Sequence, residues 1–153
     1  MLGLNLISGE MLPLVLALIS GVLMAVQGSL NTSLSKAIGL LEATFIVQIT
    51  GTILVMILLF IFNLGKGNLY AWQDAPWYSW LGGIIGVAII YLVAASIPSV
   101  GVANATTAII VGQVLTAIII DQFGGFGLER MACSPKQVVG LVLLAVGAKM
   151  LLK

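Results

Sequence analysis

Asn104, Thr106, Thr107, Gln113 and Thr116 carry the hydrogen-bonding chemistry of the stretch from Pro98 to Gly125, PSVGVANATTAIIVGQVLTAIIIDQFGG, which is otherwise apolar enough to cross a bilayer. Amides and hydroxyls held at that depth are costly unless another helix, water or a bound solute completes their hydrogen bonds. The chemistry they offer is recognition of polar groups, not the making or breaking of bonds. The same residue types recur elsewhere. Ser20, Gln27 and Asn31 follow one another at offsets of seven and four, and Thr44, Gln48, Gly51 and Thr52 form a second set. On helices, each set makes a stripe along one face. The candidate cargo contacts are therefore Gln27, Asn31, Gln48, Asn104, Gln113 and Thr116. Asn104 lies about 180° from Gln113 at 100° per residue, so a straight helix cannot turn both toward one cavity.

Those residues need elements to hold them, and composition fixes the kind. With 61% hydrophobic and 7% charged residues and a mean hydropathy of +1.22, the chain has too little polar side chain to cover a soluble surface. It reads as an all-α membrane protein. Five apolar runs, at about 12–33, 42–63, 77–97, 100–120 and 137–152, form one five-helix transmembrane domain after a short lead over residues 1–11. At about 1.5 Å per residue the first four can span a core of about 30 Å, whereas the fifth needs Lys149 and Lys153 to reach the interface. The lead lacks the basic segment of a cleaved signal peptide, so the first run is retained as a span. Tyr70, Trp72, Trp77, Tyr78 and Trp80 crowd the start of the third run, where amphipathic rings form an interfacial belt. Gly21, Ala25 and Gly28, then Gly82, Gly83 and Gly86, then Gly140 and Gly147 are expected at close-packed helix seams.

Several functions are excluded. A net charge of +1 offers nothing to nucleic acid, and one cysteine, Cys133, with no histidine leaves no disulfide within the chain and no zinc or haem site of the usual kinds. No cofactor is expected. The five acids are Glu10, Glu42, Asp74, Asp121 and Glu129, all in links, near the terminus or at the ends of runs. No nucleophile and base can be paired, so the chain is not read as an enzyme. A proton-coupled cation exporter needs an acid near the membrane midplane, and none is present. The mid-span amides and hydroxyls then have two readings: interhelical glue, worth about 0.6 kcal/mol per hydrogen bond, or a polar cavity on which Gln27, Asn31, Gln48 and Gln113 converge.

Charge also bears on orientation. With five alternating spans one face receives Lys66, Arg130 and Lys136 and the other Lys36, Lys149 and Lys153. That tie gives no strong preferred orientation, so dual insertion is expected.

The run PSVGVANATTAIIVGQVLTAIIIDQFGGFG, together with MAVQGSLNTSLSKAIG and the closing GLVLLAVGAKMLL, resembles the small five-helix branch of the drug/metabolite transporter superfamily, a group of bacterial inner-membrane proteins, over nearly all of residues 12–152. The resemblance implies a half-size unit, because that branch occurs as single chains, as pairs and as fused forms with inverted halves. Lys136 stands where relatives carry a basic residue opening the last span, whereas the central glutamate of the small multidrug resistance exporters is absent. The expectation is an antiparallel homodimer, or a pair with a sister chain, enclosing a shared cavity for secondary transport of a small neutral or amphiphilic metabolite. A cargo-free accessory subunit and a small dual-topology channel are the alternatives.

Adding two lysines beside Lys66 is expected to shift a C-terminal reporter from mixed to single-sided accessibility. A single-sided signal from the unaltered chain would remove dual topology.

Overall fold

Lipid offers a backbone no hydrogen bonds, so a spanning segment must satisfy its own N–H and C=O groups, and a helix does so within itself. In the computed structural model, which describes the backbone of residues 2–152 and the side chains of residues 11–152, every regular element is helical. Met1 and Lys153, one of the six counted cations, lie outside the described residues, as does the side chain of Glu10. The five α-helices are α1 (Leu2–Ile38), α2 (Leu40–Met56), α3 (Leu81–Val100), α4 (Val102–Phe123) and α5 (Pro135–Leu151). Four stretches are long and apolar enough to cross a membrane: Met11–Ile38, Leu40–Ile61, Trp77–Val100 and Val102–Phe123. α5 has 17 residues, or about 26 Å of helix. The backbone of α1 already begins at Leu2, so residues 2–11 continue into the first span.

Contacts divide the chain into two units that meet between Pro98 and Ser99. In the first, α1 packs on α2 across a corner of one residue, Gly39. Its φ of 102° is open to glycine and strained for other residues. The Glu42 carboxylate folds back over Gly39 at the start of α2, where the helix dipole favours a negative charge. α1 also meets α3. A Cβ on Gly28 would lie 2.9 Å from Val93 Cγ1 and 3.3 Å from Ile97 Cδ1, so the missing side chain sets this approach. The buried stripe on α1 is Gly28, Asn31, Thr32 and Ser35. Ala43 and Thr44 on α2 and Ala94 and Ile97 on α3 complete the buried set of this unit.

The gap at residues 98–99 between the third and fourth apolar runs is not where the chain turns. Pro98 lies inside α3, which continues to Val100, and the chain breaks only at Gly101. Proline removes one donor but its fixed φ is helical, whereas Gly101 at φ 85° and ψ 161° has left the helix. That backbone conformation repeats Gly39, with φ 102° and ψ 156°. The side chains repeat too. Buried residues stand seven before, four before and four after each glycine: Thr32, Ser35 and Ala43 around Gly39, and Ala94, Ile97 and Ala105 around Gly101.

α2 ends in a π-helical turn, Ile57–Ile61, closed by Asn63 at φ 51° and by the Leu64 N–H donating to the Leu58 carbonyl at 3.0 Å. This is the left-handed helix stop that asparagine tolerates. The aromatic residues then form two 3-10 turns, Leu69–Asp74 and Trp77–Trp80, with Trp72 edge-on to Trp80 at 4.9 Å. Tyr70 is 90% and Trp77 76% exposed, the surface an interfacial belt presents.

In the second unit α4 packs on α5. The link between them is tied to the C-terminal end of α4. Gly124 caps the helix at φ 63°, the Met131 N–H donates to the Asp121 carbonyl at 2.8 Å, and Arg130 Nε donates to the Gln122 carbonyl at 2.8 Å. A guanidinium there also complements the negative end of the helix dipole. Ser134 and Gln137 form a reciprocal capping box that starts α5.

The seam expectation holds at Gly28 and loosely at Gly86, but a Cβ at Gly21, Gly82, Gly83, Gly140 or Gly147 would meet nothing within 4 Å in the chain. Gly28→Leu is therefore expected to lower the midpoint of thermal unfolding in detergent by the equivalent of about 1–3 kcal/mol, through overpacking. Gly82→Leu is expected to leave it unchanged. Equal losses at both positions would contradict this arrangement.

Candidate functional site

Most hydroxyls of the spans are used up locally. Nine serine and threonine side chains, among them Thr32 to the Gly28 carbonyl, Thr44 to Leu40 and Thr52 to Gln48, each donate to a carbonyl three or four residues back at 2.8–3.0 Å. This back-bonding satisfies the hydroxyl inside its own helix and leaves little of it for a neighbour. The glue reading therefore loses most of its hydroxyls. Among the described residues, the side-chain hydrogen bonds join groups in the same helix or tie a link to a helix end.

The amides behave differently. Gln122 Oε1 accepts the Cys133 N–H at 2.9 Å and Gln137 Oε1 accepts the Ser134 N–H at 2.7 Å, so the two glutamines near helix ends are paired. Gln27, Asn31, Gln48, Asn104 and Gln113 make no hydrogen bond among the described residues, and neither does the Thr116 hydroxyl. A carboxamide has four hydrogen-bonding sites, and in these five residues the span meets none of them. Asn31 is only 7% exposed, yet no buried side-chain polar atom is both fully enclosed and unpaired. Its amide therefore borders accessible space.

Position along the helices groups these residues. Asn31 stands eight residues before Gly39 and Gln48 nine after it, which puts them about 12 and 14 Å from the shared corner, near the middle of a core about 30 Å thick. Gln48 Nε2 points toward α3, 3.8 Å from where a Gly86 Cβ would stand. Gln27, one turn from Asn31, is exposed. The first unit thus gathers Asn31 and Gln48 at one depth, with Gln27 at the edge.

In the second unit Gln113 and Thr116 lie on one face of α4 with Ile109, Gly112, Ala117 and Ile120, lining a shallow open concavity of about 460 Å³. Both polar residues are exposed in it. Asn104 does not share that face. It is the third residue of α4, where α2 carries Glu42, and is half-buried at the helix start. Thr106 and Thr107 are also half-buried near that end, and Thr107 donates to the Ala103 carbonyl. Of the two residues that cannot face one cavity, Gln113 is therefore the one at mid-span.

Gln122, Arg130 and Ser134, which fix the α4–α5 link, were not singled out from the sequence. The Ser134-Pro135-Lys136-Gln137 pattern has the serine and glutamine spacing of a capping box and could have revealed one of them. Among the described residues no three of His, Cys, Asp and Glu gather as metal ligands.

What remains is a chain of apolar spans with uncharged hydrogen-bonding groups at mid-depth, and a family comparison agrees with that chemistry. Residues 12–150 match the family described as "Putative inner membrane exporter, YdcZ", of the drug/metabolite transporter clan. The chain belongs to this family. No curated protein and no solved structure matches it. Membership makes it a multi-pass inner-membrane transporter, in keeping with its long apolar helices, and an exporter family is not a family of enzymes.

If the mid-span amides are free, Gln48→Leu and Gln113→Leu should each leave the thermal midpoint in detergent unchanged or raise it. A drop matching the loss of about 0.6 kcal/mol, typical of an interhelical hydrogen bond, would return them to helix glue.

Proposed function

We propose that the chain is a secondary transporter that moves a small neutral or amphiphilic metabolite out through the inner membrane, using a cavity shared by two inverted five-helix units. The observation that carries this reading is the set of unpaired carboxamides at mid-depth. In hydrocarbon such groups are unfavourable unless a cargo or a second copy completes them, whereas the span hydroxyls need neither. In the first unit Asn31 and Gln48, with Gln27 at the margin, are the candidate cargo contacts; Gln113 and Thr116 are separate candidates on the open face of α4. Asn104 sits at the helix start, where gating or capping suits it better than contact with cargo.

The inverted pair is supported by the charge tie and by α5, whose 17 residues span only with help from Lys149 and a thin bilayer or a neighbouring copy. Inversion supplies the two-fold relation used in alternating access, with cargo near the midplane. The accessory-subunit reading requires the amides to be satisfied by protein, and among the described residues they are not.

Reconstituted Asn31→Leu and Gln113→Leu are each expected to cut counterflow of a transported solute at least tenfold while keeping the oligomeric state on size exclusion; retained transport would defeat the assignment. With no acid at mid-depth, wild-type flux should vary less than about twofold between pH 6 and pH 8, and uphill export should not run on a pH gradient alone. Flux of no solute in a broad panel would favour the cargo-free subunit.

A further inference from the structure

The glycines of the first unit report how far apart its helices stand, because each marks where a side chain would meet a neighbour. At the level of Gly28 and Gly86 the helices touch, with Val93 and Ile97 against the one and Gln48 near the other. Gly21 is seven residues before Gly28, Gly51 seven after the buried Thr44 and Gly82 four before Gly86, so each lies on the inward face of its own helix. A Cβ at any of these three would find nothing within 4 Å. The burial pattern agrees. Residues 11–24 of α1, 49–56 of α2 and 81–85 of α3 are all exposed, whereas among the described side chains every buried one in these helices lies nearer the Gly39 corner. The three helices thus pack at the corner end and part toward the other end. The cleft between them has glycine and aliphatic walls, and at its floor lie Gln48 and the unpartnered, 7% exposed Asn31.

From this geometry we infer that the first unit binds an amphiphile tail-outward: an uncharged hydrogen-bonding head on Asn31 and Gln48, and an apolar chain lying in the cleft past Gly51, Gly21 and Gly82. The inference rests on the transporter reading and narrows its cargo. Two carboxamides provide donors and acceptors for an amide, alcohol or similar head. Residues 11–35, 43–65 and 75–100 contain no Asp, Glu, Lys or Arg, so a charged head would enter hydrocarbon without a counter-ion. Glycines leave room for a chain, and the parted helices let it enter sideways from the lipid.

The test uses the full chain in lipid nanodiscs and reads binding by thermal shift against two homologous series: n-alkanamides from acetamide to octanamide, and protonated n-alkylamines of matched length. The same assay on Gly140→Leu, whose added side chain meets open space on α5, controls for the added leucine and should keep the wild-type response. Apparent affinity for the alkanamides should rise up to about fourfold per methylene, and the amines should bind at least tenfold more weakly. Gly82→Leu should flatten the chain-length dependence while acetamide binding persists. Asn31→Leu should weaken the whole series. Amines binding as tightly as amides would overturn the neutral head, and unchanged chain-length dependence in Gly82→Leu would overturn the tail site; both leave the transporter reading standing. If no member of either series shifts the wild-type protein, while another solute is transported, this inference fails alone. If nothing is transported either, both fall.

Discussion

A polar group inside hydrocarbon has no water to turn to, and most of this structure follows from how each residue type meets that constraint. Backbone groups meet it by helix formation. Serine and threonine meet it by donating to a carbonyl one turn back, which nine of them do within the spans. The mid-span asparagine and glutamine side chains do not meet it within their own helix. Where a chain end or link is near, as at Gln122 and Gln137, a backbone N–H completes the amide. At mid-span none is available, and the amide has no hydrogen-bond partner among the described residues.

The same constraint governs the corners. A break in a spanning helix exposes backbone groups, so the two tightest turns use one glycine each and resume hydrogen bonding at once: the Ala43 N–H donates to the Gly39 carbonyl and the Ala105 N–H to the Gly101 carbonyl, both at 3.0 Å. The buried residues flanking the two corners occupy matching positions. One local solution has been used twice, with packing residues repeated and polar residues not. Asn31 and Gln48 belong to the first copy, where Val93 and Ile110 stand at the matching sites of the second. Unpaired amides are therefore laid over a repeated scaffold. The opposite ends of the helices are joined by longer links, one rich in aromatic residues and one tied down by Arg130 and Gln122.

Membership of an exporter family and the missing midplane acid together restrict the mechanism. A transporter without a carboxylate at mid-depth cannot exchange cargo for a proton there. The carboxamides at that depth offer donors and acceptors without the desolvation penalty of a charge.

The sequence alone determined the class and the placement of the long apolar helices, because hydropathy and length are properties of a segment and need no neighbour. It also determined that no charge sits at mid-depth. It did not determine which glycines are seams. Gly28 and Gly82 look alike in a helical stripe, yet one meets Val93 and Ile97 and the other meets nothing, because spacing fixes the face of a helix and not the distance to the next. Nor did it show that Thr44 and Thr52 satisfy themselves while Gln48 does not, since that depends on side-chain reach against a folded turn. The corner between the third and fourth spans falls at Gly101 and not in the gap at 98–99 between the apolar runs, because a proline's φ is helical and only the glycine takes the positive-φ conformation. Tertiary structure decided which polar residues remain without partners, because satisfaction is a relation between groups and a chain read one residue at a time contains only the groups.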